Sequence, residues 1–192
     1  MPDYAETSAL RALTSPEPIG VIGPAPWWTD EFLDWETQAD LSRPRQQHPS
    51  SGWAWLRGGT AEGRLIGGCL ESLQHLRGTR YWPSCDGAIL FLETSEECPS
   101  PEQIDAILMD YENMGVLAQL RGLLVARPYG YSDEERIQLH EVILARTAPF
   151  AFPVIADMDF GHTSPIFTLP LGCQARIDSD AHQFAITEAA VR

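Results

Sequence analysis

Gly87–Glu93 reads GAILFLE, an unbroken apolar run rich in Ile, Leu and Phe, bounded by a glycine and closed by a carboxylate. That length and content predict a strand. Three runs of similar texture surround it: RLIGGCL at Arg64–Leu70, RGLLVARP at Arg121–Pro128 and FPVIADMDF at Phe152–Phe160. Between them the pattern changes to helical spacing. Pro101–Leu120 places Ile104, Ile107, Leu108, Tyr111, Met114 and Leu117 on one face, and Ser132–Arg146 does likewise with Ile137, Val142 and Ile143. Ser100 and Ser132 stand as N-caps, followed by a proline or by acids in the first turn, and Glu135 completes a capping box with Ser132. Strands alternating with helices predict a mixed α/β layer arrangement.

Upstream the texture differs. Residues 1–60 are rich in Pro, Gly, Trp and polar residues and show no sustained periodicity, apart from a short helical candidate around Thr29–Trp35. Ser42–Gly52, SRPRQQHPSSG, reads as an exposed loop. Residues 1–60 are therefore expected to form an arm that is ordered only where it packs on something, and residues 61–192 the domain.

At 192 residues with 44% hydrophobic content, the chain suffices for one domain with a real core. A net charge of −14 and the lack of a basic stripe exclude nucleic-acid binding. No apolar run approaches bilayer length, and the opening MPDYAETSALRAL lacks the basic-then-apolar order of a signal peptide, so a soluble cytoplasmic protein is expected. Cys69, Cys85, Cys98 and Cys173 are widely spaced with no CxxC pair, which favours free thiols over disulfides or zinc.

Three features fall at strand ends or in the turns after them, where α/β sheets gather ligands and catalytic groups. Gly67-Gly68 stands between a strand and a helical stretch. It reads as a tight turn, and a phosphate loop is disfavoured because neither a lysine nor the full glycine spacing is present. Glu93 closes its apolar run, where a carboxylate is costly unless hydrogen-bonded or paired; a structural cap or ion-pair role competes with a catalytic one. His162 follows a strand and Gly161 on a turn that lets its ring face a cleft. Asp157, Asp159 and His162 also admit a reading as metal ligands, weakened by the want of a second histidine at suitable spacing.

The stretches PAPWWTDEFLDW, AEGRLIGGCLESL, DGAILFLETSEE, LLVARPYGYSDEE and ADMDFGHTSPIFTLPLG, in this order from about Ile19 to Asp178, resemble the C-terminal half of LD-carboxypeptidases, especially the microcin-immunity subgroup. The resemblance implies a swivelling C-terminal domain with a small mixed sheet and flanking helices, docked onto a flavodoxin-like N-terminal domain. It implies a serine–glutamate–histidine triad and maps its last two members onto Glu93 and His162, which are expected within hydrogen-bonding reach of each other on an open face with an apolar patch. The reaction implied is hydrolysis, without metal or cofactor, of an amide next to a free carboxylate in a small LD-peptide or a peptidyl-adenylate. Family members commonly form dimers, so a homodimer is also implied.

The sequence departs from that pattern in one respect that bears on activity: the domain with the nucleophilic serine and the oxyanion-hole amides has no counterpart in it. The string GYSD at Gly130–Asp133 imitates a nucleophile motif, yet Ser132 opens a helix. Where many relatives have asparagine after the glycine pair this chain has Cys69, so Gly68 and Cys69 are candidate substrate contacts. Trp28 and Trp35 lie where the subgroup carries an aromatic recognition loop, and stacking on a nucleobase competes with a plain packing role. Three readings stay open: a hydrolase half inactive alone, a shortened binding module, and an acid–base enzyme acting on a non-peptide substrate.

Overall fold

A computed structural model describes residues 2–192. The chain runs α1 (Asp3–Thr14), β1 (Gly20–Ile22), β2 (Trp27–Trp28), α2 (Ala39–Ser42), β3 (His48–Pro49), β4 (Ala54–Arg57), β5 (Thr60–Cys69), α3 (Leu70–Leu73), β6 (Ile89–Glu93), α4 (Pro101–Asn113), α5 (Val116–Gln119), β7 (Gly122–Ala126), α6 (Asp133–Thr147), β8 (Val154–Met158), β9 (Gln174–Asp178) and β10 (Gln183–Ile186). The fold is mixed α/β with flanking helices. Its main sheet has eight strands in the order β1-β10-β9-β5-β6-β7-β8-β4, and β2 and β3 form a separate ribbon.

The centre of the sheet, β5-β6-β7-β8, is parallel. Apolar packing covers both of its faces, which is why these strands read as continuous apolar runs. In β6, Leu90 and Leu92 join the cluster under the helices, with Ile104, Leu108 and Tyr111 of α4 and Leu139 and Ile143 of α6. Ile89 and Phe91 point to the opposite cluster, with Phe160, Phe167, Ile177 and Phe184. The wings are antiparallel: β4 pairs with β8 at one edge, and β9, β10 and β1 extend the other. β5 joins the two regimes, pairing with β9 through Thr60–Arg64 and with β6 through Leu65–Cys69.

Several elements differ from the sequence expectation. The Thr29–Trp35 stretch is not a helix: its apolar residues share no face, with Leu33 buried and Phe32 and Trp35 exposed. Thr29 instead exchanges two backbone hydrogen bonds with Ser164, at 2.7 and 2.8 Å. The long helical run from Pro101 is split at Gly115, which stands in left-handed backbone between α4 and α5. Residues before 60 contribute α1 and the two edge strands β1 and β4. Helix α1 turns only Ala5, Ser8 and Ala12 inward, a face too small-sided to register as an apolar stripe.

Both N-cap expectations hold. Ser132 accepts from the Glu135 N–H at 3.2 Å while Glu135 accepts from the Ser132 N–H at 2.8 Å, and Ser100 forms the matching box with Gln103. Ser132→Ala is therefore expected to lower stability by about 1 kcal/mol, read as a shift of the urea midpoint with unchanged slope.

Candidate functional site

The carboxyl ends of the four parallel strands lie side by side, and this edge gathers the polar groups. β5 and β6 end in register, with Gly68 opposite Leu92 and Cys69 opposite Glu93. The glycine pair thus belongs to the last residues of the strand, just before α3. A Cβ on Gly67 would sit 1.8 Å from the Phe91 carbonyl oxygen, so only glycine lets the strands approach here. Cys69 Sγ lies 3.3 Å from Glu71 Oε2, and burial pushes its thiol above the ordinary value. The other Glu71 oxygen accepts from the N–H and hydroxyl of Ser95, at 3.0 and 2.7 Å, tying α3 to the loop after β6.

His162 follows β8 and reaches across to β6. Its Nδ1 stands 2.7 Å from Glu93 Oε2, so the strand-end carboxylate is paired. Gly161 makes the approach possible: its φ is 90°, and a Cβ there would fall 2.5 Å from Glu93 Oε2. The second ring nitrogen, Nε2, lies 3.1 Å from Glu96 Oε2. Glu96 is mostly exposed, at 67%, against 17% for the Glu93 side chain, so the Nε2 partner is free to move while the Nδ1 partner is fixed. A neutral ring that donates Nδ1–H to Glu93 presents Nε2 as a proton acceptor.

The aspartates in and just after β8 have other partners. Asp159 is fully buried and forms an ion pair with buried Arg127, at 2.7 Å. It also accepts from the Trp53 indole N–H at 2.7 Å and the Ala25 N–H at 2.9 Å. Asp157 turns instead toward His140 and Arg136 of α6, at 3.3 and 4.0 Å. Asp157, Asp159 and His162 thus face three different sets of partners. Among the described residues no group of three or more His, Cys, Asp or Glu side chains is placed to hold a metal ion.

His162 lines an open cleft of about 490 Å³, with Glu96 and Tyr129 from the β6 and β7 loops and Asp30, Glu31, Phe32 and Arg45 from the N-terminal segment. That segment walls the cleft without closing it, and His162 keeps 35% of its side chain exposed. The surround is charged, and the exposed apolar side chains beside it are Phe32 and Trp35. Trp35 lines an adjoining cleft that shares Glu31, Phe32 and Arg45 with the first. Trp28 does not line either cleft: it is stacked on His48 at 4.6 Å and carries the Arg127 guanidinium over its ring at 5.0 Å. Gly68 and Cys69 neighbour Glu93 through the sheet without lining the cleft.

Sequence reasoning missed Arg127, Trp53, Glu96 and Arg45. Arg127 carried a usable signal, an arginine directly after a buried strand and parallel to one ending in aspartate. Glu96 and Arg45 sit in loops whose course no periodicity reveals.

A sheet whose parallel strand ends present a Glu–His pair beside an open cleft matches a known class of structure. The fold aligns with a protein similar to the microcin self-immunity protein MccF from Streptococcus pneumoniae, solved in complex with AMP, at a TM-score of 0.81 and 28% identity over 97% of this chain and 58% of that one. It aligns equally with MccF in complex with glutamyl sulfamoyl guanosine, at a TM-score of 0.82 and 26% identity over 100% of this chain and 58% of that one. Residues 62–177 match the model of the LD-carboxypeptidase C-terminal domain. The chain belongs to that family. YocD of Bacillus subtilis, a carboxypeptidase by name, is 31% identical over 92% of this chain and 52% of its own length. The Escherichia coli microcin C7 self-immunity protein MccF is 29% identical over 84% of this chain and 46% of its own. The chain thus spans about half the length of the curated relatives it matches. Among the described residues no helix is long and apolar enough to cross a membrane.

Proposed function

We propose that this chain is the Glu/His-bearing half of a cytoplasmic serine hydrolase that cleaves an amide bond in a small LD-peptide or a peptidyl-nucleotide, and that it turns over substrate only together with a nucleophile-bearing domain. The observation that carries this reading is the 2.7 Å contact from Glu93 to His162 Nδ1, with Nε2 on the cleft side against the exposed Glu96. In this arrangement His162 takes the serine proton as general base and returns it to the leaving amine, while Glu93 fixes the ring and stabilises its cation. The pair is the proton-transfer device, and the reaction invokes no metal or cofactor. Residues 61–192 form the domain that carries the pair. Residues 1–60 supply the arm and the tryptophan-bearing substrate loop, with Trp35 toward an aromatic substrate group, while Trp28, Gly68 and Cys69 support the site from outside the cleft wall. A homodimer accords with this reading.

Ser132 is not the nucleophile in this reading, since its hydroxyl is engaged with Glu135 at a helix start. The test is complementation. The purified chain is expected to release no D-alanine from an LD-tetrapeptide and to leave a peptidyl-adenylate intact, and a serine-reactive phosphonate should label nothing. Adding the N-terminal half of a close relative should restore both turnover and labelling. Turnover by the chain alone that disappears in Ser132→Ala would sink the assignment.

A further inference from the structure

We infer that Glu31 is a positioning residue for substrate recognition, pinning the neck of the loop from residue 31 to 46 so that Phe32 and Trp35 are held beside the His162 cleft for a planar aromatic group such as a nucleobase. This rests on the hydrolase reading for the identity of the ligand, but not for the mechanics of the loop.

The loop is closed in three steps. At its base the ribbon pairs Trp28 with His48. Thr29 is then bridged to Ser164, two residues beyond His162, which fixes the loop's root to the site. Above that, Glu31 reaches across the neck: Arg43 donates to both of its oxygens, at 2.6 and 3.0 Å, and the Gln46 N–H donates at 2.6 Å. Arg45, between these two partners, donates to the Ser164 hydroxyl at 3.1 Å. The tip is a self-bonded turn around Asp34, whose side chain accepts from the Glu36 N–H at 2.8 Å and whose carbonyl accepts from the Ala39 N–H at 3.0 Å.

An ordered loop would normally turn its aromatics inward. This one leaves Phe32 67% and Trp35 74% exposed, with ring centroids 6.3 Å apart. Phe32 faces the cleft that His162 lines, and Trp35 its neighbour. Two rings held open to solvent on a braced loop, tilted 45° to each other, are each available to a planar group rather than committed to a core. An isolated surface ion pair contributes little, but a fork-shaped arginine contact supplemented by a backbone donor fixes geometry as well as energy. The Glu31 carboxyl is accordingly held down to about 2, by the Arg43 hydrogen bonds first and the Gln46 N–H second. A carboxylate with a lowered folded value gives its full contribution above the ordinary value of 4.5, and loses it only as pH falls toward about 2. The neck is therefore closed throughout the neutral range.

The experiment uses the full chain with AMP as the probe, and Glu31→Ala, Arg43→Met and the double variant beside wild type. Hydrogen exchange should accelerate in residues 32–45 of each variant with no change in the β6 and β7 amides. AMP affinity by calorimetry should fall about tenfold, the order of a single base–aromatic stack, as it should in Trp35→Ala. The double variant should be no weaker than either single one, as expected of residues acting as one unit. With the nucleophile half supplied, KM for a peptidyl-adenylate should rise while kcat holds, which loss of fold or of the Glu93–His162 pair would not produce. Unchanged exchange in Glu31→Ala, or faster exchange with AMP affinity and KM both intact, would overturn the inference. Failure of wild type to bind AMP would count against the nucleotide substrate, and the exchange result would still decide whether Glu31 holds the neck.

Discussion

His162→Ala is expected to abolish turnover in the complemented enzyme, and Glu93→Gln to lower kcat by about three to four orders of magnitude. In the proposed mechanism alanine removes the group that accepts the nucleophile's proton, so the loss is of a mechanism rather than of a contact. Glutamine keeps the size of Glu93 and a hydrogen-bonding oxygen, but removes the charge that stabilises the imidazolium, and its amide can hold the ring in the wrong tautomer. Neither change should alter the fold, because the pair sits at the rim and His162 is part exposed. The check is D-alanine release under saturating substrate, alongside the unfolding midpoint of each variant. Glu96→Gln is the informative control: its carboxylate now faces Nε2, so it should retain turnover if Glu96 yields to the nucleophile. A Glu93→Gln enzyme with near-native kcat would remove the basis for the orienting role.

Asp159→Ala should cost about 3–5 kcal/mol of stability, the largest structural effect expected of a single change at the site edge. The alanine leaves Arg127 charged, buried and without its carboxylate, and it frees the Trp53 and Ala25 donors together. Arg127→Met should destabilise in the same direction by stranding Asp159. Replacing both, as Arg127→Met with Asp159→Leu, should cost less than Asp159→Ala alone, because no uncompensated charge then remains. Urea midpoints of the three proteins measure this, and a double variant weaker than both singles would contradict it. These partners come from Ala25, Trp53, Arg127 and Asp159, so the buried charge ties the N-terminal segment to the ends of β7 and β8.

What could be read in advance follows from how each element is buried. β6 and β7 are covered on both faces, so their sequences are nearly pure apolar runs and the strand reading needed no other support. α4 and α6 announced themselves by their caps. β9 and β10 were missed although QARID and QFAI do alternate, Ala175, Ile177, Phe184 and Ile186 being buried; strands this short, covered on one face, carry only two inward residues each. At the site, the strand-end placement of Glu93 and the glycine–histidine turn were legible because both follow from where an apolar run stops. Their closeness was expected from the family resemblance and not from the residues alone, since it depends on β6 and β8 lying on either side of β7 and on the space that Gly161 leaves. Trp28 and Trp35 looked alike in sequence and differ in structure because Arg127, distant in the chain, claims the face of one of them.

The pairing of β1 with β10 joins Gly20 to Ile186. Strand β1 therefore waits for β10, about 160 residues later in the sequence, and until β10 is made Ile22 lacks its sheet neighbour Phe184. The parallel centre has no such delay, since β6, β7 and β8 are linked by successive local crossovers. Assembly is thus expected to run outward from the centre, with the β1 edge closing only once β10 is available. The ordering of the loop from residue 31 to 46, rooted between that edge and the centre, becomes a late event in the life of the molecule, and the cleft is completed only after the layer that supports it.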